Sequence, residues 1–294
     1  MEKKRIGFVG LGLMGSGMAK NLMAAGFPLM GYARDETKVE ALRRQGCKRV
    51  ASPERMAAEV DVIILSLPTA YVVSEVVRNT LKLFEFGKKG LIVIDTTTAD
   101  PILSEELATQ LREKGVEMLD ATVSGTSKLC AERDVIFMVG GREGTFKECL
   151  PIFLAMGKEA IFLGKNGSGA ATKLIVQLIL GLNRMALAEG LTLGKKAGMD
   201  QHRLLEVLKK SAAYSKAMDM KGSRMINKEF LPPEGRLGGY LKGVRLILDL
   251  GNRLNCPLPL ISVHAQALLS EVSKGRGGWD TADIISFYEE LANV

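Results

Sequence analysis

Histidine is nearly missing from this chain. Only His202 and His264 occur in 294 residues, and neither sits in a motif. Histidine acid–base chemistry is therefore not expected. The four cysteines, Cys47, Cys130, Cys149 and Cys256, are far apart and form no C-x-x-C. They read as reduced thiols of a cytosolic protein. No ligand cluster appears, so no metal is expected. Aromatics make up 5% of the residues, and no basic stretch interleaves with them. That argues against a nucleic-acid module. The longest uncharged run in the second half, Leu174 to Asn183, is too short to span a bilayer, so no membrane partner is expected. A secretory signal is not expected either, because an apolar strand and a glycine loop begin almost at Met1. Internal repeats and low-complexity linkers are also missing.

What is present supports a folded core. The apolar fraction is 47%, and the net charge of +7 comes from Lys and Arg that are spread along the chain. Such a charge fits ordinary solubility with some attraction for anionic ligands. The informative stretch is Arg5 to Arg34. Ile6, Phe8 and Val9 form a short strand. Gly10-Leu11-Gly12-Leu13-Met14-Gly15 follows it and fits G-x-G-x-x-G. Met14, Met18 and Leu22 recur at i+4 on one helical face. Gly26 suits the left-handed position that stops a helix, and Phe27 to Tyr32 reads as a second strand. Strand, glycines, helix and strand in that order predict dinucleotide binding. The first glycine allows a tight turn, the second lets backbone approach a pyrophosphate, and the third allows close helix–strand packing. The helix N-terminus favours the anion.

The end of the second strand, Tyr32-Ala33-Arg34-Asp35, bears on which dinucleotide. Ala33 cannot hold a ribose 2′-OH. Arg34 can pair with a 2′-phosphate, since guanidinium donors match phosphate oxygens. Asp35 is the rival if the strand runs further; otherwise it caps the next helix, Glu36 to Gln45. The reading favours NADP(H), with NAD(H) as the alternative.

Strands and helices then alternate. Ser52-Pro53-Glu54 starts a helix. Val62–Leu65 and Leu91–Ile94 are buried-strand runs, Tyr71–Leu81 a helix, and Asp100-Pro101 the start of another. Its Ile102, Leu103, Leu107 and Leu111 face inward, and Gly115 stops it. Continuous apolar strands between amphipathic helices predict an α/β, doubly wound parallel sheet covered on both faces. Ligands of such sheets bind beyond the strands' carboxyl ends. That places Gly10–Gly15, Leu67-Pro68, Thr97-Thr98 and Asp120–Lys128 on one rim. Asp120–Lys128 is small and polar; it reads equally as an anion-holding loop or a plain surface connection. Val135–Val139 and Ala160–Leu163 complete the strands. From Gly167 the pattern is helical. A long helix from Ser168 to about Lys196 is apolar nearly all round over Leu174–Leu182 and should be buried there. His202–Lys210, Leu241–Leu254, Leu260–Ser273 and Asp283–Leu291 are further helices. The boundary falls near Gly164–Gly167, giving a dinucleotide-binding domain over 1–164 and an all-α domain over 165–294.

Lys173 stands beside the uncharged run. On its own it reads as a lysine whose stem packs while its ammonium reaches water, or as a proton donor facing the first domain. Gln177 follows one turn later on the same face.

In its order of motifs the chain resembles the β-hydroxyacid dehydrogenases, the family of 3-hydroxyisobutyrate dehydrogenase, tartronate semialdehyde reductase and, more distantly, phosphogluconate dehydrogenase. The resemblance spans nearly the whole chain. It rests on Gly7-Phe8-Val9-Gly10-Leu11-Gly12-Leu13-Met14-Gly15 with Met18-Ala19-Lys20-Asn21-Leu22. Asp120 to Thr126 resembles the substrate loop Asp-Ala-Pro-Val-Ser-Gly-Gly. Gly169, Lys173 and Gln177 fall on Gly-x-x-x-Lys-x-x-x-Asn, and Lys242-Gly243 on a Lys-Asp pair. The resemblance implies reversible hydride transfer between a nicotinamide and a small β-hydroxy acid or semialdehyde acid, in a homodimer or homotetramer without a metal; the cysteines and the chain start make the expected setting cytoplasmic. It implies Lys173 as general acid or base, and Ser124, Gly125 and Thr126, helped by Gln177, around the substrate's acid group. Leu67, Pro68, Thr98 and Lys242 would line the cofactor site. Four departures stand out: Thr122 for proline, Thr126 for the second loop glycine, Gln177 for asparagine and Gly243 for aspartate. They imply a substrate unlike that of the best-known members, such as a larger, branched or differently charged acid. An imine reductase and a non-catalytic NADP-binding sensor are the alternatives; retained Lys173 argues against both.

Overall fold

In the computed structural model, which describes residues 3–50 and 52–294, the chain divides into two compact units, Met1–Lys173 and Leu174–Val294. The first unit opens with β1 (Ile6–Val9), α1 (Leu13–Ala24), β2 (Leu29–Tyr32), α2 (Glu36–Arg43) and β3 (Lys48–Arg49). It continues with α3 (Pro53–Glu59), β4 (Val62–Leu65), α4 (Ala70–Glu75), a π-helical turn over Val76–Thr80, α5 (Leu83–Phe86), β5 (Ile92–Asp95) and α6 (Pro101–Glu113). β6 (Glu117–Ser124), α7 (Ser127–Ala131), β7 (Ile136–Gly140), α8 (Glu143–Met156) and β8 (Glu159–Phe162) complete its sheet. The long α9 (Ser168–Lys196) begins here and continues into the second unit.

The strands form one eight-stranded sheet in the order β3-β2-β1-β4-β5-β6-β7-β8. The expected parallel pairing holds from β3 to β6. Between β6 and β7 it does not: those two are antiparallel, and β8 then pairs parallel to β7. The sheet is therefore mixed. The physical reason is the short α7 connection, which returns the chain beside its own strand; a parallel partner needs a longer crossover.

Alternation explains the continuous apolar runs. Ile6, Phe8, Val62, Ile64, Ile92 and Ile94 pack into one core on α1 and α8. Val9, Ile63, Leu65 and Val93 face the other, with Val73, Val77 and Leu107. Each strand thus feeds two layers, as sheets buried on both faces require. Each such fully buried side chain contributes roughly 1.5–3 kcal/mol.

Local signals placed the ends well. Gly26 has φ +79 just past α1, Gly115 φ +77 past α6 and Gly198 φ +75 past α9. Asp35, Thr69 and Asp100 cap their helices through side-chain oxygens. Ser52 precedes α3 but caps it poorly, because its hydroxyl turns to Glu54 instead of a backbone N–H.

The second unit is helical: α10 (Gln201–Lys210), α11 (Lys216–Asn227), α12 (Leu237–Arg253), α13 (Pro259–Ser273) and α14 (Ile284–Ala292) follow α9. Leu187, Leu191, Val244, Ile247, Ile261 and Leu268 lie in its core. The expectation that α9 is buried over Leu174–Leu182 is corrected. Leu174 and Gly181 are buried there, whereas Ile175 and Ile179 are 54% and 53% exposed. Length and mean hydropathy alone would let α9 cross a bilayer. Two of its charged groups are nonetheless engaged by protein well before its C-terminal end: Lys173 reaches Val123 O, and Arg184 donates to Thr281. A packed helix of a folded domain shows that pattern. His264 is 1% exposed and lies against Tyr240. Burial first, and the Arg184 charge second, push it down to about 4, so it is neutral at pH 7.

Candidate active site

The glycine loop gives each glycine a separate job. Gly10 takes φ +95, and a Cβ there would lie 2.2 Å from Ser66 O. At Gly15 a Cβ would lie 2.0 Å from Gly10 O and 3.1 Å from the Phe8 ring. These two serve the turn and the helix–strand contact. Gly12 differs: a Cβ there would meet nothing within 4 Å. It also stands at the N-cap of α1 with no side-chain cap, so no side chain there satisfies the first-turn N–H groups that the helix leaves over. That is a cradle for an anion.

The space in front is a cleft of about 1060 Å³ at the carboxyl ends of β1, β2 and β4. Gly10 to Gly15, Ala33, Arg34, Leu67 and Pro68 all line it. Thr98 does not. Thr97 holds the neighbouring position instead, its Oγ1 accepting the Leu67 N–H at 3.1 Å. Lys38, Tyr71 and Glu75 also line the cleft, and no motif of the sequence marks them. Tyr71 and Glu75 were findable as an i, i+4 pair on the helix after Pro68. The dimensions, the cradle and the loop fit a dinucleotide.

β2 stops at Tyr32, so Asp35 lies beyond it and caps α2. Its carboxylate accepts the Thr37 N–H at 3.1 Å and the Thr37 hydroxyl at 2.6 Å, and pairs with Lys38 at 3.6 Å. The Thr37 hydroxyl above all holds it below its ordinary value. Arg34 is exposed at the cleft, and no ion pair engages it among the described residues.

The second part of the site lies where β6 meets α9. Asp120–Ser124 is not a loop, as its polar residues suggested, but the buried half of a strand. Asp120, Thr122 and Ser124 alternate on one face; Leu119, Ala121 and Val123 fill the core on the other. Gly125 then takes φ +148, where a Cβ would lie 2.6 Å from Val135. Thr126 caps α7, its hydroxyl oxygen accepting the Leu129 N–H at 3.3 Å. The face of β6 carrying Asp120 receives the start of α9. Lys173, one turn into that helix, donates from Nζ to Val123 O at 2.7 Å, beside Ser124. Part of its stem remains accessible, yet the ammonium is crowded by protein, and desolvation pushes it down from 10.5 to about 8. An amine that titrates near neutrality can both give and take a proton.

Gln177 and Lys242 belong to the second unit. A Cβ on Gly243 would lie 2.8 Å from Gln177 Oε1, so the missing side chain at 243 makes room for the longer amide at 177. The two departures compensate each other. Tyr240 donates to the backbone carbonyl of Gln177 at 2.9 Å. Lys242 is on the exposed face of α12.

Comparison with known proteins agrees with this geometry. Residues 5–164 match the family described as the NAD binding domain of 6-phosphogluconate dehydrogenase. Residues 167–288 match the one described as NAD-binding of NADP-dependent 3-hydroxyisobutyrate dehydrogenase. The 2-(hydroxymethyl)glutarate dehydrogenase of Eubacterium barkeri is 32% identical over 300 residues, covering 100% of this chain and 98% of that protein. The mitochondrial 3-hydroxyisobutyrate dehydrogenase of Pongo abelii is 30% identical over 299 residues, covering 98% and 88%. A solved structure of Mycobacterium tuberculosis 3-hydroxyisobutyrate dehydrogenase with L-serine has a TM-score of 0.90 at 26% identity, covering 97% of this chain and 99% of that one. Likeness that runs the length of both chains at this identity has one meaning: the protein belongs to the β-hydroxyacid dehydrogenase family and is a nicotinamide-dependent oxidoreductase acting on small hydroxy acids.

Proposed function

We propose that the enzyme interconverts a small β-hydroxy acid and its semialdehyde acid, using NADP(H) in preference to NAD(H), with Lys173 as the proton carrier. The observation that carries this is the Lys173 ammonium, desolvated to about 8 and held beside Ser124. The nicotinamide, when bound, supplies or accepts the hydride. In reduction Lys173 gives its proton to the carbonyl oxygen as negative charge develops there; in oxidation the neutral amine removes the proton from the alcohol. The Ser124 hydroxyl and the backbone at Gly125 and Thr126 hold the substrate's acid group. Thr126 narrows that corner relative to a glycine, and the Gln177–Gly243 exchange changes the reach of the amide; both support an acid other than 3-hydroxyisobutyrate itself. A panel of semialdehyde acids assayed by NADPH oxidation tests the reading. Turnover confined to cyclic imines, or tight NADPH binding with no carbonyl turned over, would overturn it.

Cofactor preference rests on the second strand's end. Asp35 is occupied as a cap, while Arg34 faces the cleft. Arg34→Ala is expected to weaken NADPH by roughly 10-fold or more, the worth of a charge-assisted hydrogen bond of about 1.5–3 kcal/mol, and to leave NADH nearly unchanged. Equal losses in fluorescence titrations with the two dinucleotides would count against a 2′-phosphate at Arg34.

Exposed Ile175, Ile179 and Leu193 on α9 support assembly as a homodimer or homotetramer that covers them. Light scattering on the purified chain is expected to return a multiple of 31.8 kDa; a monomer at micromolar concentration would refute this. The four free cysteines, three of them buried, support a cytoplasmic setting.

A further inference from the structure

Lys173 has no charged partner among the described residues; one backbone carbonyl, that of Val123, holds its ammonium. Its position therefore depends on where α9 begins. β6 fixes that beginning in three ways. The Asp120 carboxylate accepts the backbone N–H of Gly167 at 2.8 Å and of Ala170 at 2.9 Å. These are first-turn donors that the helix cannot satisfy itself, so Asp120 acts as an N-cap supplied by a strand 47 residues away in sequence. The Thr122 hydroxyl donates to Gly169 O at 2.8 Å. Gly169 itself lies backbone to backbone on the sheet, where a Cβ would be 2.3 Å from Asp120 O and 2.4 Å from Met138 O. Asp120 and Thr122 are both buried.

Gly169 and Lys173 are four residues apart, one above the other on the helix face that meets β6. Any slip of the first turn along the strand passes directly to the lysine. We propose that Asp120 and Thr122 are positioning residues for the reaction: together they clamp the first turn of α9 to β6 in the register that brings the Lys173 ammonium to the rim beside Ser124. The Thr122 bond is a property of this chain, since proline, the usual residue of the family pattern, has no donor to offer Gly169. The inference rests on the proposed role of Lys173.

Of the titratable groups at this junction, Asp120 and its register partner on β5, Asp95, are buried, and Lys165 and Glu105 pair with each other at 2.6 Å just before α9; among the described residues none of them pairs with Lys173. The ionisation of Lys173 therefore reports its own surroundings. The test uses the full chain with Thr122→Val, Thr122→Ser, Asp120→Asn and Lys173→Ala. Competitive acetylation across pH, read by mass spectrometry of the Lys173 peptide, measures when the amine loses its proton and needs no substrate. In the parent enzyme the midpoint is expected near 8. In Thr122→Val it is expected to move up toward the ordinary lysine value, as the ammonium leaves its desolvated seat, and Thr122→Ser is expected to restore it. For the semialdehyde acid of the panel that the parent enzyme reduces fastest with NADPH, kcat is expected to fall by about 10- to 10²-fold in Thr122→Val with KM little changed, the scale of an ångström's misplacement. Thr122→Val with the parent midpoint and the parent kcat would overturn the proposal, whether or not Asp120→Asn folds. Full turnover in Lys173→Ala would instead remove the lysine from the chemistry, while a displaced midpoint in Thr122→Val would still stand as evidence of positioning.

Discussion

Alanine at Lys173 is expected to lower turnover at least about 10²-fold, the low end for general acid–base catalysis, while NADPH affinity stays at the parent value. The second half of that expectation follows from geometry: Lys173 is not among the residues that line the dinucleotide cleft. The pH profile sharpens the test. The folded enzyme holds the amine near 8 through desolvation. Reduction needs the protonated form, so its rate is full below pH 8 and falls as pH rises through it. Oxidation needs the neutral amine, so its rate falls as pH drops through the same value. Both limbs should vanish in the alanine variant. Lys173→Arg should not rescue oxidation, because a guanidinium does not give up its proton in this range. A profile of the parent enzyme flat between pH 7 and 9 in both directions, or near-normal turnover in the alanine variant, would assign proton transfer elsewhere.

The second large effect separates two glycines that look alike on paper. Gly12→Ala is expected to fold as stably as the parent, because its Cβ would meet no atom within 4 Å. It should nonetheless bind NADPH roughly 10²-fold more weakly, the loss of one or two charge-assisted bonds of about 1.5–3 kcal/mol each, since the methyl occupies the approach to the α1 N–H groups. Gly15→Ala is expected to do the reverse of the first part. Its Cβ would lie 2.0 Å from the Gly10 carbonyl oxygen, and backbone cannot yield as a flexible side chain does. Overpacking of this kind costs about 1–3 kcal/mol, occasionally more, so thermal denaturation should show a clear drop in midpoint. An unchanged NADPH affinity in Gly12→Ala would mean that the pyrophosphate does not pass over residue 12.

Much of the fold was legible because its signals are local. The i, i+4 methionines and leucine of α1, the glycines just past α1, α6 and α9, and the capping Asp100 each act within a few residues. The buried runs Val62–Leu65 and Leu91–Ile94 declare themselves by being apolar on both faces. The Asp120–Ser124 strand did not. A strand whose inner face is polar has the composition of a loop, and what makes it a strand is the helix that satisfies those polar groups. The same holds for Asp35, where strand end and helix cap are indistinguishable until the register of β2 is known.

On its own the sequence determined the opening βαβ unit with its glycine turn and the change to helix near Gly167, and it singled out Lys173. Turn geometry, helix period and capping are written in neighbouring residues. Tertiary structure alone decided which residues hold that lysine: Asp120 meets Gly167 and Ala170, and Val123 meets Lys173, across separations of 47 to 50 residues. It also decided that Gly243 leaves room for Gln177, 66 residues earlier in the numbering of the chain. Such pairs are joined by packing and desolvation in space, and no local pattern along the chain encodes them.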